Sequence, residues 1–411
     1  MTRTPVMVTG VGLVNALGDD PDVFFERLCA GESAVTAIEH RDVSALPVRI
    51  GAELKAFDPE KAIGAREARL MDPFTQYGIA AAEDALRDAG LVVGQNVAPD
   101  RVGAVIGCGI GGATTLEREA AAFALEGIDE VSPYLMTQVL TNMATAHLAI
   151  RHGITGPTMA IANACATGAN AIGEGLRTIQ RGDADVMVCG AAEAPLYPLG
   201  IAAFAKARAL SRRNEEPARA SRPFDSGRDG FVLGEGGGIV VLESLAHASA
   251  RGARPRSVLL GYGASTDAHH VTMPDPEGRG AAASMRRALA DAGIAPADVD
   301  YVNAHATGTK LGDISEARAM REVFGAGQPA CSATKGSTAH LLGASAAVEA
   351  VICALSTQTD LVPPTRNLDR PDPQCDLNHV RDQALSRPTR VAISNSFGFG
   401  GHNATLVLAK A

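Results

Sequence analysis

The chain has 411 residues, 46% hydrophobic and 20% charged, with no tryptophan, 44 glycines and a formal net charge of −9. The acidic balance argues against nucleic acid as a general partner, and no stretch approaches the roughly 18 apolar residues that a membrane span needs. Seven cysteines without C-x-x-C spacing point to neither a disulfide framework nor a zinc site and fit a reducing cytoplasm.

The length suits two core-forming units, and Ala, Val, Ile and Leu beside many glycines suit an α/β fold. Met1–Gly10 holds too short an apolar run for a signal peptide. Val6 to Thr9 reads as a strand followed by a glycine turn. Helices are predicted from about Asp22 to Ala30, with Gly31 behind it, and from about Pro73 to Ala89, closed by Gly90. The apolar run Val102 to Ile106 reads as a buried strand. It ends in Gly107-Cys108-Gly109-Ile110-Gly111-Gly112, which matches the dinucleotide pattern G-x-G-x-x-G and so raises an NAD-dependent oxidoreductase as an alternative. The acid needed about 20 residues later would have to close a second strand, whereas Asp129 and Glu130 sit in a loop-like segment. A glycine corner where backbones approach closely is the better reading.

Thr158 to Ile161 reads as a buried strand and about Gly168 to Arg181 as a helix, which places Cys165 at a strand-to-helix corner. Unpaired amides and the positive end of the helix dipole favour thiolate there. Taken alone, the same pattern also describes a small buried cysteine packed under a helix. Val186 to Gly190 is another buried strand, followed by a loop region rich in basic residues: Lys206, Arg208, Arg212 and Arg213. After the turn-rich stretch Arg222–Gly230 come strand Ile239 to Leu242 and a short Ala-rich helix ending near Arg251-Gly252. That point divides the chain into halves of residues 1–252 and 253–411. The second half repeats the plan, with strands Val258 to Leu260, Tyr301 to Asn303, Val391 to Ser394 and Thr405 to Leu408. Helices run from about Ala281 to Ala292, Ile314 to Phe324 and Ala344 to Ser356. Alternating strands and helices imply a mostly parallel sheet covered on both faces.

Three further segments carry reactive side chains just after apolar strands, where open α/β sheets keep their sites. They are Asn303–Asp313 with His305, Ser332–Gly343 with Lys335 and His340, and Asn395–Asn403 with Phe399. Singly, each histidine reads as a core or loop residue, and His269, His270 and His379 look no different. Together with Cys165 they supply a nucleophile and two proton or hydrogen-bond partners. No two of these residues share a metal-ligand spacing, and a cysteine protease would leave Lys335 without a role.

These segments, with Arg228–Gly236 and Phe397–Gly401, resemble the signature of the elongating β-ketoacyl-acyl carrier protein synthases of fatty acid and type II polyketide synthesis, nearly end to end. The resemblance implies a thiolase-like fold, two similar halves stacked as five alternating helix and sheet layers, usually paired as a homodimer or with a related ketosynthase or chain-length subunit. It implies an acyltransferase in which Cys165 takes an acyl chain from a carrier-protein thioester. His305 and His340 hold the malonyl thioester carbonyl during decarboxylation, and the carbanion attacks acyl-Cys165 to give a 3-ketoacyl product. A second oxyanion hole is implied at the Cys165 and Phe399 amides. Lys335 matches a supporting lysine and Glu349 its acidic partner, Thr307 and Thr309 match the pantetheine-binding hydroxyls, and Ile110 and Phe399 match the acyl-pocket gate. Arg66, Arg69, Lys206, Arg208, Arg212 and Arg213 fall where the family docks its acidic carrier protein, although ordinary solvated surface remains an alternative for each. No cofactor or metal is implied beyond the carrier's phosphopantetheine.

The sequence also departs from the family pattern. Ala306 and Ala339 stand where many relatives have glycine, and His402 where threonine is common. A glycine-only conformation would be costly for alanine, so these positions bear on substrate preference and leave a specialised polyketide or polyene enzyme open. A non-catalytic chain-length subunit would lack the nucleophile. A thiolase would use a second cysteine in place of His340, and a chain-initiating enzyme or chalcone synthase an asparagine.

Overall fold

The structure, a computed structural model, describes residues 5–411; the predicted N-terminal segment Met1–Thr4 lies outside them. Ten strands form the main sheet: β1 (Val6–Val14), β2 (Val102–Gly107), β3 (Thr158–Met159), β4 (Val186–Glu193), β5 (Gly236–Ser244), β6 (Ser257–Thr266), β7 (Tyr301–Asn303), β8 (Ala330–Ser332), β9 (Val391–Gly398) and β10 (His402–Ala409). Their spatial order is β3-β2-β4-β5-β1 in the first five and β8-β7-β9-β10-β6 in the second. The same connectivity therefore occurs twice. In each set the first three strands in this order are parallel and the last two join antiparallel. Among the described residues, the two sets pair where Val6–Val8 meets Ser257–Leu259. The division at residue 252 falls in the turn between the helix Leu245–Ala250 and β6.

Side-chain alternation along the strands assigns their two faces to different cores. Ala104 and Ile106 of β2, Val188 of β4 and Val241 of β5 pack outward with helix α1 (Pro73–Ala89). Their neighbours Val105, Cys189 and Val240 pack inward against helices α2 (Thr167–Arg181) and α5 (Ser345–Thr359). The second set does the same. Val302, Ile393 and Val407 face α3 (Arg279–Ala292) and α4 (Lys310–Phe324), while Tyr301, Ala392 and Leu406 face the shared centre. The result is the expected α/β, five-layered, thiolase-like arrangement.

Several elements differ from the sequence reading. The strand predicted to stop at Thr9 continues through Gly10 and Gly12, because α1 lies against it: a Cβ at these positions would stand 2.2 and 2.0 Å from the carbonyl oxygens of Ala85 and Ala81. The predicted buried strand Thr158–Ile161 is only Thr158–Met159, and it is exposed because it forms the outer edge, pairing with β2 alone. Lys206, read as part of a loop, ends the helix Pro198–Lys206. The segment before the loop-like Glu126–Val131 is the helix Ala113–Glu126, followed by a single turn at Ile128–Glu130. Finally, Leu342–Thr359 is long and apolar enough by length and composition to cross a membrane, contrary to the sequence reading. Its apolarity has another cause here: 89% of it is buried, and α5 lies between the two five-stranded sets.

Candidate active site

Cys165 sits in the one-turn helix Ala164–Ala166 immediately before α2. The residues flanking His340 mirror this, with a one-turn helix at Leu342–Ala344 immediately before α5. The two turns touch, and Gly168 lets the helices close, since a Cβ there would stand 2.6 Å from the Ala347 nitrogen. His340 Nε2 consequently lies 3.1 Å from Cys165 Sγ. His305 arrives on the loop after β7, its ring edge-on to that of His340 at a centroid distance of 5.5 Å. Lys335 Nζ reaches His305 Nδ1 at 3.4 Å and Glu349 Oε1 at 2.5 Å, with both ion-pair side chains almost wholly buried.

The partners fix both ring tautomers. Ser345 Oγ accepts the Leu341 N–H at 2.7 Å, so its proton is directed to His340 Nδ1, 3.1 Å away. The Lys335 ammonium can only donate to His305 Nδ1. Each imidazole therefore carries its proton on Nε2. Burial, reinforced by the Lys335 charge, pushes both histidines well below their ordinary pKa, so both are neutral N–H donors. Burial raises Glu349 to about 7, while the Lys335 charge pulls the other way.

The thiol departs from the expectation of a ready thiolate. Burial pushes Cys165 up to about 12; the Lys335 charge and the amides of Phe399 and Cys165 oppose this only in part. Those amides are the pair expected to form an oxyanion hole. Gly398 brings Phe399 close, because a Cβ there would stand 3.0 Å from the Cys165 nitrogen.

A cavity of about 770 Å³ joins Cys165, His305 and His340 to Thr307, Thr309, Ile110 and Phe399. The Thr307 and Thr309 hydroxyls are 3.2 Å apart. The metal-ligating atoms of Cys165, His305 and His340 lie within 4.8 Å of one another, a clustering that sequence spacing did not reveal. The Lys335 ammonium beside His305 opposes a cation there. Of the six predicted docking residues, exposed Arg208 lines the cavity, together with exposed Lys310. Lys206 and Arg212 are exposed, Arg66 and Arg69 are exposed but do not line it, and Arg213 is tied to the Gly227 carbonyl and to Asp229. Three of the other histidines take structural places. His270 Nδ1 accepts two backbone N–H groups of its own turn, His379 packs against Phe224, and His402 lies beneath Gly400.

The dinucleotide reading fails on backbone chemistry. The amides of Gly109 and Ile110 donate to Glu193, that of Gly111 to Cys108 Sγ and that of Gly112 to the Val139 carbonyl, leaving none to cradle a pyrophosphate. Glu193 was invisible in sequence, as was Glu316, whose carboxylate accepts the His305 and Ala306 N–H groups at 2.9 and 2.7 Å. The only signal was an acid closing an apolar strand and another on the buried face of a helix.

Of the two alanines, Ala306 needs no glycine conformation, whereas Ala339 has φ +62° and ψ −171° directly before His340. That region is essentially glycine's and costs roughly 1–3 kcal/mol.

A thiol and two neutral imidazoles at strand ends of a duplicated α/β sandwich define a thiol-dependent acyl-transfer class. The comparisons make the class specific. Residues 3–248 match the Beta-ketoacyl synthase N-terminal domain and residues 256–369 its C-terminal domain. The chain is 44% identical to 3-oxoacyl-[acyl-carrier-protein] synthase 2 of Coxiella burnetii, covering 100% of this chain and 99% of that one. It superposes on the ishigamide ketosynthase/chain length factor with a TM-score of 0.93 at 32% identity, covering 100% of both chains. A type II polyketide ketosynthase in complex with its acyl-carrier protein matches with a TM-score of 0.92 at 32% identity over the full length of both. The chain belongs to the β-ketoacyl synthase family.

Two outcomes follow from the site geometry. Ala339→Gly should raise stability by about 1 kcal/mol in urea unfolding, the relieved strain exceeding the added chain entropy of glycine. Because the thiol titrates far above neutrality, Cys165 alkylation by iodoacetamide should quicken about tenfold per pH unit from about pH 7 to 9. A plateau in that range would indicate a preformed thiolate.

Proposed function

We propose that this enzyme condenses a Cys165-bound acyl chain with malonyl-acyl carrier protein, releasing CO2 and forming 3-ketoacyl-acyl carrier protein in chain elongation. The observation that carries this reading is the 3.1 Å approach of Cys165 Sγ to a neutral His340, with neutral His305 beside them. In the first step Sγ forms the bond to the acyl carbonyl and the carrier thiol leaves with the proton; the Cys165 and Phe399 amides hold the oxyanion. In the second, the malonyl carboxylate departs as CO2 and its electrons pass to the thioester oxygen. The two Nε2–H groups receive that charge without a prior proton transfer. The enolate carbon then bonds to the acyl-Cys165 carbonyl, the carbonyl–sulfur bond breaks, and the departing thiolate takes a proton from solvent to restore the thiol. Lys335 and Glu349 orient His305, and Thr307 and Thr309 hold the pantetheine arm.

Curated relatives at 44–45% identity are named synthase 2, whereas the ishigamide ketosynthase/chain length factor and the type II polyketide ketosynthase stand at 32%, which favours fatty acid elongation. Exposed Arg208, Lys206, Arg212 and Lys310 offer positive charge for an acidic carrier protein. Seven free cysteines suit the cytoplasm.

The exposed edge strand β3 and exposed Leu116, Phe123, Leu125, Ile128, Met136 and Ile150 come from one stretch of chain, residues 113–159. A second copy of this chain covers them, extending the sheet across the edge.

Cys165→Ala should abolish condensation. His340→Ala should lower malonyl-carrier decarboxylation by about 10²–10³ while acyl-Cys165 still forms in mass spectrometry; ketoacyl product from the cysteine variant would refute the mechanism. Native mass spectrometry of the protein expressed alone should show a dimer. A monomer that pairs only with a second ketosynthase-like chain would replace the homodimer with a heterodimer.

A further inference from the structure

Glu193, at the end of β4, is only 1% exposed, and both of its oxygens are fully engaged. Oε1 accepts from the Ile110 amide at 3.1 Å and the Cys108 thiol at 2.9 Å. Oε2 accepts from the Gly109 amide at 2.8 Å and the Gly343 amide at 3.1 Å. Three of these donors, the Cys108 thiol and the Gly109 and Ile110 amides, belong to the loop that carries Ile110, which lines the cavity with Cys165. The fourth, the Gly343 amide, belongs to the turn Leu342–Ala344, three residues beyond His340 and two before Ser345, which sets the His340 tautomer. Both glycines lie against the carboxylate, since a Cβ on Gly109 would stand 2.9 Å and one on Gly343 2.8 Å from Oε2. Four donors without a countercharge among them suit a carboxylate better than any neutral side chain. A glutamine would turn an N–H pair toward amides that can only donate.

We propose that Glu193 is a positioning residue that joins the acyl gate to the malonyl site. Its carboxylate holds the Ile110 backbone and the His340-bearing turn on one anchor, so the seat of the acyl chain and the reach of the decarboxylating imidazole are set together. The proposal deepens the condensation reading and rests on it.

The test separates half-reactions in Glu193→Gln. Transfer of a long acyl chain from carrier protein to Cys165, which must pass Ile110, should fall at least about tenfold, as should malonyl-carrier decarboxylation. Acetyl transfer, which does not pass Ile110, should stay within about twofold. In an Ile110→Ala background the same substitution should no longer slow long-chain transfer but should still slow decarboxylation. Equal loss of all activities with the folded fraction, or no loss at all, would overturn the assignment. If the unaltered enzyme neither acylates nor decarboxylates, the condensation reading fails instead.

Discussion

The contact between α2 and α5 sets everything else. Each helix starts one short turn after its candidate residue, and Gly168 against Ala347 brings the two N-termini together inside the apolar centre. Two helix N-termini converging in a low-dielectric core create a region of positive potential. Lys335 adds to it, and Glu349 offsets Lys335. Such a place disfavours imidazolium and accommodates anions that form during reaction. Burial first, and the Lys335 charge second, hold the histidines neutral, so the site works by hydrogen-bond donation rather than by ready-made charge.

The same burial explains the raised Cys165 thiol. A permanently ionised sulfur would carry an unpaired charge in the core, whereas a thiol beside two amides and an imidazole N–H becomes anionic only as bonds change. Reactivity is thus tied to substrate carbonyls in place, which limits off-pathway alkylation at neutral pH.

The four side chains that the structure brings together, Cys165, His305, His340 and Lys335, were legible because segments of small residues after apolar strands mark where an α/β sheet keeps its site. The Pro73–Ala89 helix was legible because Gly90 closes it, and the structure adds an Asp72 side-chain cap at its start. Gly10 misled for a physical reason: glycine usually signals a turn, but here it admits a helix backbone against a strand. Thr158–Ile161 misled because an apolar edge strand looks the same as a central one until its neighbours are known. Glu193 and Glu316 were hidden because most of their partners are backbone amides, which leave no trace in side-chain identity.

The repeated strand order reaches down to single residues: Gly261 and Gly263 in β6 receive α3 as Gly10 and Gly12 in β1 receive α1. Cys165 and the His340 turn therefore occupy the same topological station in successive copies. Two unfused, identical halves would be bound by symmetry to place the same side chain at both stations, thiol facing thiol or imidazole facing imidazole. Only when both copies share one polypeptide can the stations diverge, and with them the division of labour proposed between attack and charge stabilisation.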